Sequence, residues 1–233
     1  PGFSVGPPMH FDDYKHALYP DTLEQEDLGY DRLLRLRSFL AGTPVSDFSG
    51  RSGIEEYSSR VEPHAPGLAS RLWYGAASTA SARWAGENGF NLLTSSVVGS
   101  ELGPDFATNQ AAQITEFRMR HPLGSEARVS QGLVVIPTDS ATPSQIERYR
   151  SYVASRAGRV GVPQGPRGLL FAPDLIGTSA EIADRLQDDA GYQLVDEVAF
   201  ALPFSFEPED YAQLLDDIAQ GLGPALGWSP AAV

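Results

Sequence analysis

Short apolar runs alternate with longer amphipathic segments along most of the chain. The clearest predicted strand is Arg128–Pro137, whose unbroken apolar centre is typical of a parallel strand buried on both faces. The other predicted strands are Phe3–Gly6, Leu72–Tyr74, Phe90–Ser95 and Val195–Leu202. The pattern predicts helices over Leu23–Leu40, Thr79–Asn88, Pro104–His121, Pro143–Ala157, from Thr178 or Ser179 onward, and over Pro208–Leu222. This alternation is typical of parallel βα units.

Three segments are predicted to lack regular helices. Met9–Pro20 is expected to be a loop, and Val45–Val61 is expected to be irregular with a hairpin through Phe48–Arg51. Gly158–Gly168 is rich in Gly, Pro and Arg, which fits either a mobile loop over an active site or a long connection.

The chain is organised around the strand Leu72–Tyr74, the small-residue turn Gly75–Ser78 and the helix that follows. Little side-chain bulk in the turn lets a ligand approach the backbone closely. Ser78 is a good N-cap, and the first amides of the helix attract anions. Ser78 and Ser81 are three residues apart, so both hydroxyls can face one anion. The turn therefore predicts either a phosphate site or an ordinary capped βα turn.

Composition and charge argue against several classes of function. The 233 residues can form one large domain or two small ones, and the net charge of -13 argues against nucleic-acid binding. No run is long and apolar enough for a membrane span, and the absence of cysteine fits a cytoplasmic protein. No nucleophile constellation and no paired histidines at metal spacing are present, so a cofactor is expected to carry the chemistry.

A resemblance to a known family extends this interpretation. The block Ala77–Ala85, followed by Gly89 and an apolar strand, resembles the fifth βα unit of the bacterial luciferase-like superfamily. Two later blocks agree in order and spacing, the helix after Gly177 and the end Leu222–Leu226. These relatives are flavin-dependent monooxygenases and their deazaflavin-using counterparts.

The resemblance implies an α/β fold, the (β/α)8 TIM barrel, with this chain supplying about strands four to eight. Residues 1–233 then form a single barrel domain that is incomplete at its N-terminus. Five parallel strands cannot close such a barrel. We therefore expect preceding residues or a partner chain to cover the open edge, since unpaired edges invite association.

The resemblance also implies an activity and a cofactor. It indicates an oxidoreductase, specifically a monooxygenase that uses reduced FMN and oxygen on an organic substrate. Coenzyme F420, a deazaflavin, is the alternative cofactor, and a separate flavin reductase and a homodimer are the expected partners. In the family this turn holds the cofactor phosphate through hydroxyls that match Ser78 and Ser81. The expected cofactor-binding residues are Gly75, Ala76, Ala77, Ser78, Ser81 and Thr94.

This chain departs from the family pattern at two places. Relatives have a glutamate where this chain has Ala77, and often an arginine where it has Gly6 and Pro7. His10, which follows the first predicted strand, is a weak candidate for a catalytic residue. The helix start Gly177–Ser179 is the rival phosphate location, because barrels often bind phosphate after strands seven and eight. A non-catalytic luciferase-like protein that binds a flavin, or nothing, is the second hypothesis.

Overall fold

The computed structural model describes residues 2–5 and 11–229. The predictions for Gly6, Pro7 and His10 fall outside these residues. The strands are β1 Gly2–Phe3, β2 Gly50–Ser52, β3 Glu55–Tyr57, β4 Trp73–Ala76, β5 Asn91–Thr94, β6 Val97–Gly99, β7 Val129–Pro137, β8 Leu169–Phe171, β9 Leu175–Gly177 and β10 Glu197–Ala201. The α-helices are α1 Phe11–Leu18, α2 Tyr30–Leu40, α3 Thr79–Glu87, α4 Phe106–Arg120, α5 Pro143–Ala157, α6 Ser179–Gln187, α7 Pro208–Asp217 and α8 Gly223–Ala225.

The chain divides into two compact units. The first unit contains Pro1–Gly75 and Asn88–Asn91, and the second unit contains Ala76–Glu87 and Leu92–Val233. Strands β4 and β5 each contribute residues to both units.

The first unit is built on the parallel pairing of β1 with β4. Gly2 lies opposite Trp73 and Phe3 opposite Tyr74. The core around this pair contains Leu33 from α2 together with Leu72, Tyr74 and Phe90, all of them buried. Because the apolar positions of β4 alternate with less buried ones, the strand packs mainly through one face.

The second unit is built on β7, the strand that the sequence predicts most clearly. It pairs in parallel with β5, β10 and β9, with Leu92 opposite Val129, Glu197 opposite Ser130 and Val135 opposite Leu175. A strand bonded along both sides and covered on both faces needs apolar residues throughout. Eight of its nine residues are buried. The structure is thus an α/β fold with a mostly parallel central sheet, as predicted, while the closed barrel stays a prediction.

Several predicted elements have the expected bounds. The strand predicted over Arg128–Pro137 spans Val129–Pro137, and the helix Pro143–Ala157 has its predicted bounds. Thr142 accepts from the Gln145 amide and Gln145 reaches back to Thr142, which is the predicted capping box.

Two predictions at the start of the chain are wrong. The segment predicted as a loop contains α1, in which Phe11, Tyr14 and Leu18 recur at helical spacing and the rings of Phe11 and Tyr14 lie 5.9 Å apart. The helix predicted from Leu23 begins at Tyr30 and is preceded by a 3-10 turn at Leu23–Gln25. Gly29, with extended backbone at the N-cap of α2, separates the two.

The predicted hairpin exists, with its turn in a different place. β2 and β3 pair in antiparallel fashion and Ser52 lies opposite Glu55, so the turn is Gly53 and Ile54 instead of Phe48–Arg51. Gly53 has a φ of 64°, the left-handed conformation that a two-residue hairpin loop favours at its first position. Among the helices in residues 11–229, none combines the length and apolar character needed to cross a membrane.

Candidate functional site: the serine turn

The segment Ala77–Ser81, named here the serine turn, leads from the end of β4 into α3. Ser78 caps the helix, because its hydroxyl oxygen accepts from the Ser81 amide at 3.2 Å. The Ser81 hydroxyl oxygen accepts in return from the Ser78 amide at 3.1 Å. The structure therefore brings the two predicted serines together in a reciprocal cap that satisfies two amides of the first turn.

The hydroxyl protons of both serines are used inside the turn. Ser78 Oγ donates to Ser81 Oγ at 2.9 Å, and Ser81 Oγ donates to the Ser78 carbonyl at 2.9 Å. A serine hydroxyl has one proton to donate. An incoming anion would receive a hydrogen bond from either hydroxyl only after one of these contacts breaks.

The serine turn already holds an anion of the chain's own. The Thr79 amide donates to both carboxylate oxygens of Glu101, at 3.2 and 3.1 Å. The Gly99 amide also donates to the Ala77 carbonyl at 2.7 Å, which brings the segment before Glu101 against the turn. A carboxylate at this position complements the positive end of the α3 dipole. Sequence reasoning missed Glu101, since a lone glutamate 22 residues further along carries no local signal.

The backbone on both sides of Glu101 is hydrogen bonded. The Ser100 amide donates to the Gly168 carbonyl at 3.0 Å, and the Leu102 amide donates to Asn109 Oδ1 at 2.8 Å. Asn109 is buried on α4, whereas Glu101 itself is exposed. The main chain is thus hydrogen bonded on both sides of Glu101, and the exposed Glu101 side chain is held by the Thr79 amide.

Thr94, a predicted cofactor-binding residue, lies at the end of β5 and is buried. Its hydroxyl accepts from Gln110 Nε2 at 3.1 Å and donates to the Ser130 carbonyl at 3.4 Å. Gln110 in turn accepts from Gln131 Nε2 at 2.6 Å. These contacts place Thr94 in a buried polar network with α4 and β7. Its predicted contact with a cofactor stays a prediction.

Gly75, Ala76 and Ala77 make no polar side-chain contribution to the turn. A Cβ added to Gly75 would meet the Phe3 carbonyl at 3.6 Å, which is an ordinary contact, so the backbone there does not require glycine. Ala76 is buried and Ala77 is partly exposed. Their predicted role in letting a ligand approach the backbone stays a prediction.

Carboxylates also accept the amide hydrogen bonds at Gly177–Ser179, the rival helix start. The Ser179 amide donates to both oxygens of Asp139, at 3.2 and 2.9 Å, and Ser179 Oγ donates to Asp139 Oδ2 at 2.7 Å. Thr178 forms a capping box with Glu181, whose side chain accepts from the Thr178 amide at 2.8 Å. Hydrogen bonds from Thr178 lower the pKa of Glu181 below its usual value. The amides of Thr178, Ser179 and Glu181 at this start of α6 therefore all have acceptors within the protein.

A flavin phosphate does not fit the serine turn as it stands. The amides of Ser78, Thr79 and Ser81 all have acceptors within the chain, and the anion at the helix start is Glu101. Arg83, the nearest arginine along α3, donates to Glu116 at 2.6 Å. Hydrogen bonds from Arg83 and Arg120 lower the pKa of Glu116 and hold it ionised. The charge of Arg83 is therefore offset by a neighbouring carboxylate.

The fold of this chain is similar to those of solved structures. The chain is similar to the crystal structure of apo-MsnO8, with a TM-score of 0.61 and 18% identity over 98% of this chain and 68% of that chain. It is also similar to the monooxygenase RslO1 from Streptomyces bottropensis, with a TM-score of 0.56 and 15% identity over 96% of this chain and 67% of that chain. The sequence matches no family model, and no curated protein matches it.

These matches support the α/β fold that the resemblance implied. At these identities the likeness concerns architecture alone.

Proposed function

We propose that this protein is an oxidoreductase of the luciferase-like kind, a monooxygenase that uses a reduced flavin and oxygen on an organic substrate. The observation that carries the proposal is the fold, which matches MsnO8 over 98% of the chain. In this proposal the phosphate binds at the serine turn, where its contacts replace those that the Ser78 and Ser81 hydroxyls now make within the turn.

Reduced FMN is the first choice of cofactor, and coenzyme F420 is the alternative. A turn whose own hydroxyls and amides are already bonded within the chain, with Ala77 in place of a glutamate, would hold FMN loosely. Loose binding fits an enzyme that takes reduced flavin from a separate reductase. The longer charged tail of F420 would need a basic patch, and in the second unit Arg83 is already paired with Glu116.

A second candidate function is a non-catalytic flavin-binding or structural protein. It is favoured by a specific observation, the Glu101 carboxylate on the Thr79 amide, because an anion of the protein occupies the helix start. The two candidates differ in whether reduced flavin binds and is turned over.

Flavin binding and oxygen uptake separate these candidates. The protein is titrated with reduced FMN and with reduced F420 under anaerobic conditions, at low and high salt, and oxygen uptake is then followed with a flavin reductase present. We expect FMN to bind, and the double variant Ser78→Ala/Ser81→Ala to weaken that binding by about 1–3 kcal/mol, the scale of two hydrogen bonds to a charged group.

The control is Thr178→Ala/Ser179→Ala at the rival helix start, which should leave FMN affinity unchanged. Tighter and strongly salt-dependent F420 binding would reverse the choice of cofactor. No flavin binding and no oxygen uptake would support the non-catalytic candidate instead.

A further inference from the structure

We propose that Arg156 and Arg159, named here the arginine pair, bind the carboxylate of a small organic acid. Arg156 lies in the last turn of α5, and Arg159 follows the helix in a turn where its amide donates to the Arg156 carbonyl at 3.2 Å. The pair belongs to the second unit and shares no residue with the serine turn. This inference is independent of the proposed function, because it involves no flavin.

Arg156 shows how a carboxylate is held at this place. Its Nε donates to Asp174 Oδ2 at 2.6 Å, and its Nη2 donates to Asp174 Oδ1 at 3.2 Å. Asp174 is buried, and the Arg156 guanidinium also lies over the ring of Tyr152, with Cζ 4.7 Å from the ring centre. Two parallel hydrogen bonds of this kind are the arrangement in which arginine recognises a carboxylate. Asp174 is therefore already bound by Arg156.

Arg159 carries the same group without a carboxylate. Its guanidinium lies over the ring of Phe171, with Cζ 4.3 Å from the ring centre. In the part of the chain that the structure describes, its buried Nε has no hydrogen-bond acceptor. A buried donor without an acceptor costs free energy and is expected to be satisfied by a bound water, ion or ligand. The residue as a whole is partly exposed, so a ligand can approach the guanidinium from solvent.

Tyr152 supplies a second donor of this kind. Its Oη is buried and has no partner among the described residues. Tyr152 and Arg156 are four residues apart on α5, so they lie on one face of the helix. A phenol hydroxyl can donate to an anion. The cluster formed by Tyr152 and the arginine pair therefore has donors to spare, whereas the carboxylate beside it is already bound.

The charges of the cluster favour a singly charged anion. Burial lowers the pKa of Arg159, and the charge of Arg156 lowers it further. Asp174 offsets only one of the two arginines, which leaves one positive charge in a partly buried position. A charge in such a position is stabilised by a partner of opposite sign. A carboxylate would neutralise it, whereas a phosphate dianion would leave an excess negative charge.

The test titrates sodium acetate into isotope-labelled protein and follows the Nε–Hε signals of Arg156 and Arg159 by NMR. Sodium chloride at equal ionic strength and sodium phosphate are titrated separately. The variants are R159Q, R159K and R150Q. Arg150 is exposed on α5, so R150Q makes the same change in net charge as R159Q outside the cluster.

We expect acetate, and not chloride, to shift the Arg159 signal in the wild-type protein. The acetate affinity reported by the Arg156 signal should fall roughly tenfold in R159Q and stay unchanged in R150Q. It should be intermediate in R159K, which keeps the charge but lacks the planar fork of nitrogens.

A missing response to acetate, or an affinity that is equal in wild type and R159Q, would overturn the proposal. Tighter binding of phosphate than of acetate would reject the carboxylate as the ligand. Circular dichroism checks the fold of each variant. If R159Q does not fold, R159K decides: weaker acetate binding than in wild type supports the site, and equal binding rejects it.

Discussion

The carbonyl oxygen of Phe117 lies 2.5 Å from the position that a Cβ on Gly86 would occupy. Helices α3 and α4 therefore meet backbone to backbone at this point, with the Arg120 Cβ at 3.1 Å and the His121 amide nitrogen at 3.3 Å from the same position. Glycine is needed here for space, not for an unusual φ. The close approach fixes α3, and with it the serine turn, against α4.

Gly86→Ala should destabilise the protein. Alanine gains about 1 kcal/mol over glycine in helix propensity, but the overlap with a backbone carbonyl costs more, so a net loss of roughly 1–3 kcal/mol is expected. The measurement is urea unfolding followed by circular dichroism. Gly158→Ala is the control, since nothing lies within 4 Å of its added Cβ. Equal stability of the Gly86 variant and wild type would show that α3 and α4 do not pack this closely.

Ser78→Ala should weaken helix α3 even when no ligand is present. It removes the acceptor for the Ser81 amide, and loss of an N-cap costs about 1 kcal/mol. Thermal unfolding in phosphate-free buffer measures the effect. Ser151→Ala, at an exposed position inside α5, is the matched control and should leave stability nearly unchanged. A Ser78 variant as stable as wild type would contradict the reciprocal cap.

Thr94→Val tests two roles of one hydroxyl. Valine keeps the shape but removes the acceptor for Gln110 Nε2, which should cost about 1 kcal/mol of unfolding free energy. We expect FMN affinity to stay within twofold of wild type, because the hydroxyl is bonded within the buried network. A tenfold loss of FMN affinity at unchanged stability would instead place Thr94 in contact with the cofactor.

Stability at low pH should depend on Asp210. Burial raises the pKa of this carboxyl, but hydrogen bonds from Arg148, Gln145 and the Glu207 amide outweigh burial and lower it overall. A lowered folded-state pKa contributes stability above the unfolded value of about 3.9, and that contribution is lost as the pH falls through the folded value.

Asp210→Asn removes that dependence. The variant loses the ion pair in which Arg148 Nη2 lies 2.6 Å from the Asp210 carboxylate and keeps only a neutral amide oxygen as acceptor, which should cost about 1–3 kcal/mol at pH 7. The difference between variant and wild type should shrink as the pH falls below 4. Urea unfolding at pH 7, 5 and 3.5 gives the comparison, with Asp216→Asn at an exposed position as control. A difference that is constant with pH would contradict the assignment.

The sequence predicted those parts of the structure that depend on residues close together in the chain. The Thr142–Gln145 capping box and the Ser78–Ser81 cap each lie within one helical turn. The unbroken apolar run of β7 by itself indicates a buried strand. Glu101 contacts Thr79 across 22 residues of sequence, and Asp139 contacts Ser179 across 40. Neither contact can be predicted from a local sequence pattern, because the partners are far apart in the chain. β6 and β8 were missed for the same reason, because each is three residues long and is stabilised by its distant partner.

The two compact units are interleaved along the chain, and this arrangement determines what proteolytic cleavage can release. The chain passes from one unit to the other after Gly75, after Glu87 and after Asn91. No single cleavage releases either unit as one continuous polypeptide, because Asn88–Asn91 belongs to the first unit and carries the buried Phe90. A protease nick between α3 and β5 should therefore give two fragments that stay associated until a denaturant is added, and neither half is suited to separate expression.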